Sequence, residues 1–252
     1  MGSEEAVEVE KTYIDIHTHI LPEIDDGPEK MQDAVGMLIQ ARENQTGVIV
    51  ATSHYCPDRW AWDRNRYLEQ FQMVQENAEK MNILLYSGNE IYYTSRILDA
   101  LERGECMSLN GGRYVLTEFD HDIWGRAMEQ ALMSLRYEGY FPVVPHAERC
   151  GCLTESISLV ESLVRQGVYI QVNCDSVIRA HKRRLHRSPV KTWLKEELVH
   201  VIATDMHDTE ARPSRMKLCG EILKKYYGPV YSQKLLEKNP EAMINDCYIS
   251  DI

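Results

Sequence analysis

Seven times along the chain a short apolar run is followed by a longer stretch, and this alternation restricts the fold more than any other feature. The runs are 13–17 (YIDIH), 47–52 (GVIVAT), 83–88 (ILLYSG), 113–119 (RYVLTEF), 141–146 (FPVVPH), 168–173 (VYIQVN) and 199–204 (VHVIAT). Helix-like segments lie between them, for example 29–45 and 124–139, and the second sets Ala127, Ala131, Leu132 and Leu135 at helical spacing. A helical tail follows from Pro213 onward. Parallel neighbours need a long crossover between them, usually a helix, so repeated strand-then-helix units predict a parallel sheet. Even spacing, with no repeat, low-complexity block or linker, predicts one domain over 13–252 behind a flexible acidic leader, 1–12. The expected fold is α/β, a distorted (β/α)7 barrel related to the TIM barrel.

Composition narrows the function. Among 252 residues there are 28 basic and 39 acidic side chains, a formal net charge of -11. That balance argues against a nucleic-acid partner, which favours a basic face. There is no run of 18 apolar residues and hence no expected membrane insertion. The first residues, MGSEEAVEVEK, lack the apolar core of a secretory signal. Seven Cys without a regular framework read as reduced thiols of a cytoplasmic protein. A monomer and an oligomer are both compatible with these numbers.

In barrels of this kind the active site gathers at the C-terminal ends of the strands. Strand one delivers His17 and His19, then Asp26 in its loop; strand two delivers His54 and strand three Glu90. Strand four ends in Glu118, strand five in His146, and strand seven in Asp205 and His207. Six of the seven strands thus end in a His or a carboxylate, and five of the nine His in the chain are among them. Buried imidazoles and carboxylates are costly unless paired or bound to metal. Nitrogen and oxygen donors suit manganese, iron or zinc better than calcium. Side chains alternate along a strand, so Asp15, His17 and His19 are expected on one face, with Ile14, Ile16 and Ile20 mostly on the other. Asp15 reads equally as an orienter of the His pair and as a structural polar residue.

The strings DIHTHILPEIDDG, VIVATSHY, GNEIYY, LNGGRYVLTEF, PVVPHAER and VIATDMHD resemble the polymerase and histidinol phosphatase (PHP) superfamily. Within it they are most similar to the CpsB/YwqE-type tyrosine phosphatases of bacterial capsular and exopolysaccharide synthesis. The resemblance implies three divalent metal ions, manganese first, with iron, zinc and magnesium as alternatives. His17, His19, Glu90 and Asp205 would hold one ion. Glu90 would bridge to a second, held also by Glu118 and His146, and Asp26, His54 and His207 would hold the third. Arg149 would bind the substrate phosphate, and His54 and Asp205 join it as the residues on which catalysis depends. The implied substrate is a tyrosine-phosphorylated protein, a membrane-associated bacterial tyrosine kinase, attacked by a metal-activated hydroxide. A histidinol-phosphate phosphatase or another PHP phosphoesterase is the alternative. Ser53 and Tyr55 flank His54 where the family usually has Pro and His, and the closing motif is DMHD rather than DAHN.

Phosphocysteine chemistry needs an Arg six residues after a Cys, and no Cys here has one. The CxC of Cys150 and Cys152 reads as structural filler. The basic run Arg179–Arg187 reads either as a dock for an acidic phosphorylated tail or as a solvated helix face. Trp60 and Trp62 read as packing of the second loop or as a cover for the site. His121, His181, His186 and His200 fit no ligand position and are expected at the surface or at caps.

Overall fold

The computed structural model describes residues 12–59, 62–182 and 188–249. The first units are β1 (Tyr13–Thr18), α1 (Met31–Glu43), β2 (Thr46–Ala51), β3 (His54–Tyr55) and α2 (Arg64–Glu79). There follow β4 (Leu84–Ser87), β5 (Glu90–Tyr92), α3 (Ile97–Glu102), β6 (Tyr114–Glu118), α4 (Gly125–Tyr137) and β7 (Phe141–Val144). Next come α5 (Gly151–Glu155), α6 (Ile157–Arg165), β8 (Tyr169–Asn173), α7 (Cys174–Lys182), α8 (Pro189–Lys195) and β9 (Val201–Ala203). A helical tail of α9 (Met216–Tyr227), α10 (Pro229–Gln233) and α11 (Asn239–Ile244) ends the described chain. None of these helices is long and apolar enough to cross a membrane.

Every strand pair is parallel. β1, β2 and β4 form one ribbon, and β3, β5, β6, β7, β8 and β9 the other. The two ribbons are one curled sheet. β2 and β3 are a single strand interrupted at Thr52 and Ser53, and β4 and β5 one interrupted at Gly88 and Asn89. Backbone bonds carry the ladder over the gaps, from Thr52 N to Thr18 O at 2.8 Å and from Glu90 N to Thr52 O at 3.1 Å. The chain after β9 returns to β1 through a parallel bridge, Thr18 to Met206, and a bond from Asp205 N to His17 O at 2.9 Å. The seven expected strands are therefore present in a (β/α)7 barrel, with two of them broken. Tyr67 ties both breaks: its hydroxyl lies 2.9 Å from Ala51 O and 3.1 Å from Gly88 O, and it accepts from Gly88 N.

The expected alternation of β1 does not hold. Asp15 pairs with Ile49 and Thr18 with Ala51, so β1 spends three steps where β2 spends two. This is a β-bulge, which re-aims side chains locally. Ile14 and Ile16 join Val50, Leu116, Val143 and Ala203 in an apolar cluster, which Met243 and Ile244 of α11 complete. Asp15 turns the other way, to Thr204 of the β9 edge, which donates from its backbone N at 3.0 Å and from its hydroxyl. The extra residue then brings His17 to the same side as His19. Asp15 touches neither imidazole, so the structural reading applies to it. In α4 the inward place expected for Ala127 belongs to Met128, while Ala127 is exposed.

His200 was expected at the surface or a cap and is buried instead. It extends the pairing of β8 with β9: His200 N donates to Ile170 O at 2.9 Å, and Ile170 N donates to its Nδ1 at 3.0 Å. Burial holds its pKa down at about 3, against an ordinary 6.5. The unfolded chain therefore takes a proton below pH 6.5 that the folded chain refuses, and stability falls as pH drops through that window. His200→Asn keeps an acceptor at the Nδ1 position but cannot titrate. Urea unfolding should show the stability gap between wild type and this variant narrowing by about 1 kcal/mol between about pH 6.5 and about pH 5.5.

Candidate metal centre

All nine expected donors lie at one end of the barrel, on or just beyond the C-terminal ends of its strands. His17 is in β1, His54 opens β3, Glu90 opens β5 and Glu118 closes β6. His19, Asp26, His146, Asp205 and His207 follow strand ends. Glu118 is half-buried and Asp26 exposed, and the other seven are buried. Three overlapping sets have donor atoms within 4.8 Å of one another. They are His17, His19, Glu90 and Asp205; His19, Asp26, His54 and His207; and His54, Glu90 and Glu118. His146 reaches the third set through Nε2, 2.7 Å from Glu90 Oε1 and 3.8 Å from Glu118 Oε1. The first set has the membership that the family resemblance implied. The other two share His54, whose Nδ1 lies 3.2 Å from Glu90 Oε2 and whose Nε2 lies 3.6 Å from Asp26 Oδ1.

The outer partners of the imidazoles decide what the inner atoms can do. His17 Nδ1 meets Gln171 Oε1 at 3.0 Å, His19 Nδ1 meets Asp25 Oδ2 at 2.7 Å, and His207 Nδ1 meets Asp205 O at 2.9 Å. Each of these oxygens only accepts, so each Nδ1 carries the hydrogen and each Nε2 of the neutral ring presents a lone pair. Those lone pairs converge. His17 Nε2 and His19 Nε2 face each other at 3.3 Å, and His207 Nε2 faces Asp26 Oδ1 at 3.3 Å. Glu90 Oε2, buried and without a hydrogen bond among the described residues, sits 3.2 Å from imidazole nitrogens of His17, His19 and His54. Acceptors packed against acceptors in a dry site are what a cation reconciles.

Three orienting residues are not among the expected donors. Asp25 accepts from His19 and also from His54 N at 2.8 Å, and its Oδ1 accepts from Gly27 N at 3.0 Å. Gln171 binds His17 and accepts from His146 N at 2.8 Å, while its amide donates to Asn173 Oδ1 at 2.7 Å. Asn173 in turn donates to Asp205 Oδ2 at 2.9 Å. β8, the strand without a His or acid at its end, thus supplies amides. The signal is in the sequence: Gln171 and Asn173 sit two apart in an apolar strand, as Asp15 and His17 do.

The backbone is bent to reach this arrangement. His146 and Asp205 both adopt left-handed φ values, 32° and 55°. Non-glycine residues held there cost about 1 kcal/mol or more each and cluster at functional sites. Gly27 closes the first loop against the His19 carbonyl oxygen, which any Cβ at that position would strike.

Electrostatics follow from burial and crowding. Burial opposes the charge on Glu90, but the imidazoles of His17, His54 and His146 together hold its carboxyl well below the usual range. Glu118 goes the other way, up to about 8, through burial and the neighbouring Glu90 charge. Burial drives His54 down to about 4. Asp205 is held low despite its burial by His17 and by Arg149, which donates to its Oδ2 at 2.6 Å. Arg149, on the turn after β7, is 35% exposed, so its guanidinium also meets the mouth. A groove of about 440 Å³ opens over Asp26 and His207.

The remaining expected features fall away from this centre. All seven Cys are free, and burial pushes the thiols of Cys106 and Cys150 up to about 12. Trp62 packs edge-on to Tyr55, with ring centres 5.5 Å apart, which is the packing reading; Trp60 lies outside the described residues. Of the basic run, Arg179–Lys182 ends α7, and 183–187 lie outside the described residues. His181 meets Val177 O at 2.8 Å and packs on Tyr226 and Tyr227; His121 is exposed, and His186 is not described.

Residues 13–245 match the family described as capsular polysaccharide synthesis, CpsB/CapC. Over 239 residues the chain is 32% identical to tyrosine-protein phosphatase CpsB of Streptococcus pneumoniae, covering 92% of this chain and 98% of that protein. It is 28% identical over 242 residues to tyrosine-protein phosphatase YwqE of Bacillus subtilis, covering 92% of each. The fold matches the crystal structures of YwqE and S. pneumoniae CpsB, described as unique metal-dependent tyrosine phosphatases, with a TM-score of 0.84 at 28% identity. That match covers 94% of this chain and 96% of the other. With nearly all of the barrel inside the matched span, the chain belongs to the CpsB/CapC family of capsular polysaccharide synthesis.

Proposed function

We propose that this chain is a metal-dependent protein-tyrosine phosphatase. The observation that carries the reading is the convergence of tautomer-fixed imidazole lone pairs and carboxylates in one buried cluster, an arrangement suited to cations. We assign three divalent ions, manganese foremost, to His17, His19, Glu90 and Asp205; to Glu90, Glu118 and His146; and to Asp26, His54 and His207. His54, which faces the last two groups, stands between them. Ions there supply Lewis acidity toward phosphate oxygens and lower the pKa of water to about 7. Their formal charge of about plus six exceeds that of the four carboxylates, and the surplus favours a phosphate dianion.

The protein's own residues do the rest. Asp25 and Gln171 hold the ring orientations of His19 and His17. Arg149, pinned by Asp205, keeps donors free for the phosphate, whose geometry its fork matches. The tyrosine leaves as a phenolate of pKa about 10, which needs little help from an acid. The family and the named activity of its relatives support a phosphotyrosine protein as substrate. We take it to be a membrane-associated bacterial tyrosine kinase of capsular or exopolysaccharide synthesis, met in the cytoplasm.

Three outcomes test this. Chelator-stripped protein should lose p-nitrophenyl phosphate turnover and regain it with manganese, and His54→Ala or Asp205→Ala should stay inactive with the metal restored. Near-full activity in stripped protein, or faster hydrolysis of histidinol phosphate than of a phosphotyrosine peptide, overturns the reading. Asp25→Ala should fold but bind manganese about 10–100-fold more weakly by calorimetric titration, the usual cost of losing an orienting carboxylate. Arg149→Ala should lower kcat/KM by about 100-fold, with Arg149→Lys intermediate because it keeps charge without the fork.

A further inference from the structure

A cavity of about 700 Å³ lies on the β3–β5 side of the barrel. Tyr55 lines it, one residue after His54 in β3. Successive strand residues point to opposite faces. His54 turns to the donor cluster, while Tyr55 joins Ile91 and Ile97 on the other side. The β3–β5 wall therefore has the metal centre on one face and this cavity on the other. Residues that follow β3 and β5, among them Asp58 and Arg96, line the cavity as well.

Its chemistry is that of an anion site. Arg64, Arg96 and Arg103 line it against two acids, Asp58 and Glu105. Glu105 is already engaged, accepting from Arg103 Nε at 2.8 Å and from the Tyr55 hydroxyl at 3.2 Å. Neither Arg64 nor Arg96 has an ion-pair or hydrogen-bond partner for its guanidinium among the described residues. Trp62, another lining residue, adds an aromatic face to the cavity. Against these unspent donors stands one exposed carboxylate, Asp58. Three Arg against two acids leave a local excess of positive charge in a chain of net charge -11. Such a spot concentrates anions that the rest of the surface repels. The volume is that of a ligand pocket and far exceeds a lone phosphate ion. The aromatic wall of Tyr55 and Trp62 suits a side chain rather than a bare ion.

We propose that this cavity is a second anion subsite, which receives an acidic or phosphorylated residue of the same polypeptide whose phosphotyrosine enters the metal mouth. The proposal rests on the phosphatase reading above. Arg forks bind carboxylate and phosphate alike, so either anion on the substrate chain satisfies the site. The subsite makes the enzyme selective for phosphotyrosine in acidic or multiply phosphorylated sequence, and leaves small aryl phosphates indifferent to it.

The test compares phosphotyrosine peptides whose flanks carry glutamate, a second phosphotyrosine or alanine, using manganese-loaded full-length protein. Wild type should favour either anionic flank over alanine by about tenfold in kcat/KM. Arg64→Ala/Arg96→Ala should bring that ratio close to one with p-nitrophenyl phosphate turnover unchanged, and Arg96→Glu should push it below wild type. Whichever flank is favoured more identifies the anion. A wild type without flank preference, or a double variant that keeps it, overturns the proposal. So does added inorganic phosphate altering p-nitrophenyl phosphate turnover in wild type alone, since free phosphate would then be the occupant. Absence of all turnover would sink the phosphatase reading. Fluorescence anisotropy with phosphonate analogues of the same peptides tests the cavity independently, with equal binding of acidic and neutral flanks counting against it.

Discussion

Everything at the mouth of this barrel depends on fixing which nitrogen of each imidazole carries its hydrogen. Asp25 does this for His19, Gln171 for His17, and the Asp205 carbonyl for His207. Once those hydrogens point outward, the inner nitrogens have lone pairs and nowhere neutral to put them. The same outer residues reach across the sheet: Asp25 also holds the His54 backbone, and Gln171 that of His146. Ring orientation and chain path are therefore set by the same few hydrogen bonds.

A regular barrel would not deliver these groups. The interruptions between β2 and β3 and between β4 and β5 allow His54 and Glu90 to start new short ladders, side by side in register. The Tyr67 hydroxyl, buried between them, supplies the polar contacts that the broken ladder lacks. Asn89 fills a similar place, donating to Ser53 O at 2.8 Å and accepting from Met107 N at 2.9 Å. Unpaired buried backbone groups cost about 1–3 kcal/mol each, so such breaks persist only where side chains satisfy them. The left-handed turns at His146 and Asp205 complete the departure from regularity.

Much of this was readable in the sequence, and what was not has physical reasons. Strand and helix periods are strong signals in this chain, so the barrel and its single curled sheet could be expected from them. The donors could be listed because a His or an acid at the end of an apolar run is conspicuous. Asp25 was not legible, because adjacent acids in one turn cannot be told apart without knowing which points inward. Gln171 and Asn173 were passed over because amides are seldom counted as site residues. His200 looked like a surface residue because nothing in its neighbours shows that its ring closes a sheet bond. The broken strands were hidden too, since period two says where a strand runs and not where its ladder stops.

The bulge in β1 carries a lesson about counting. Between Asp15 and Thr18 this strand has one residue more than its partner, and that surplus lets His17 face inward directly after the inward Ile16. Deleting Ile16 would remove one methyl-rich side chain and no donor. It would also make the ladder regular, and His17, then next after Asp15, would keep its inward face but take the place of Ile16, one residue deeper in the barrel. The extra residue therefore sets how far along the barrel His17 reaches, and so whether its ring meets the donors at the mouth.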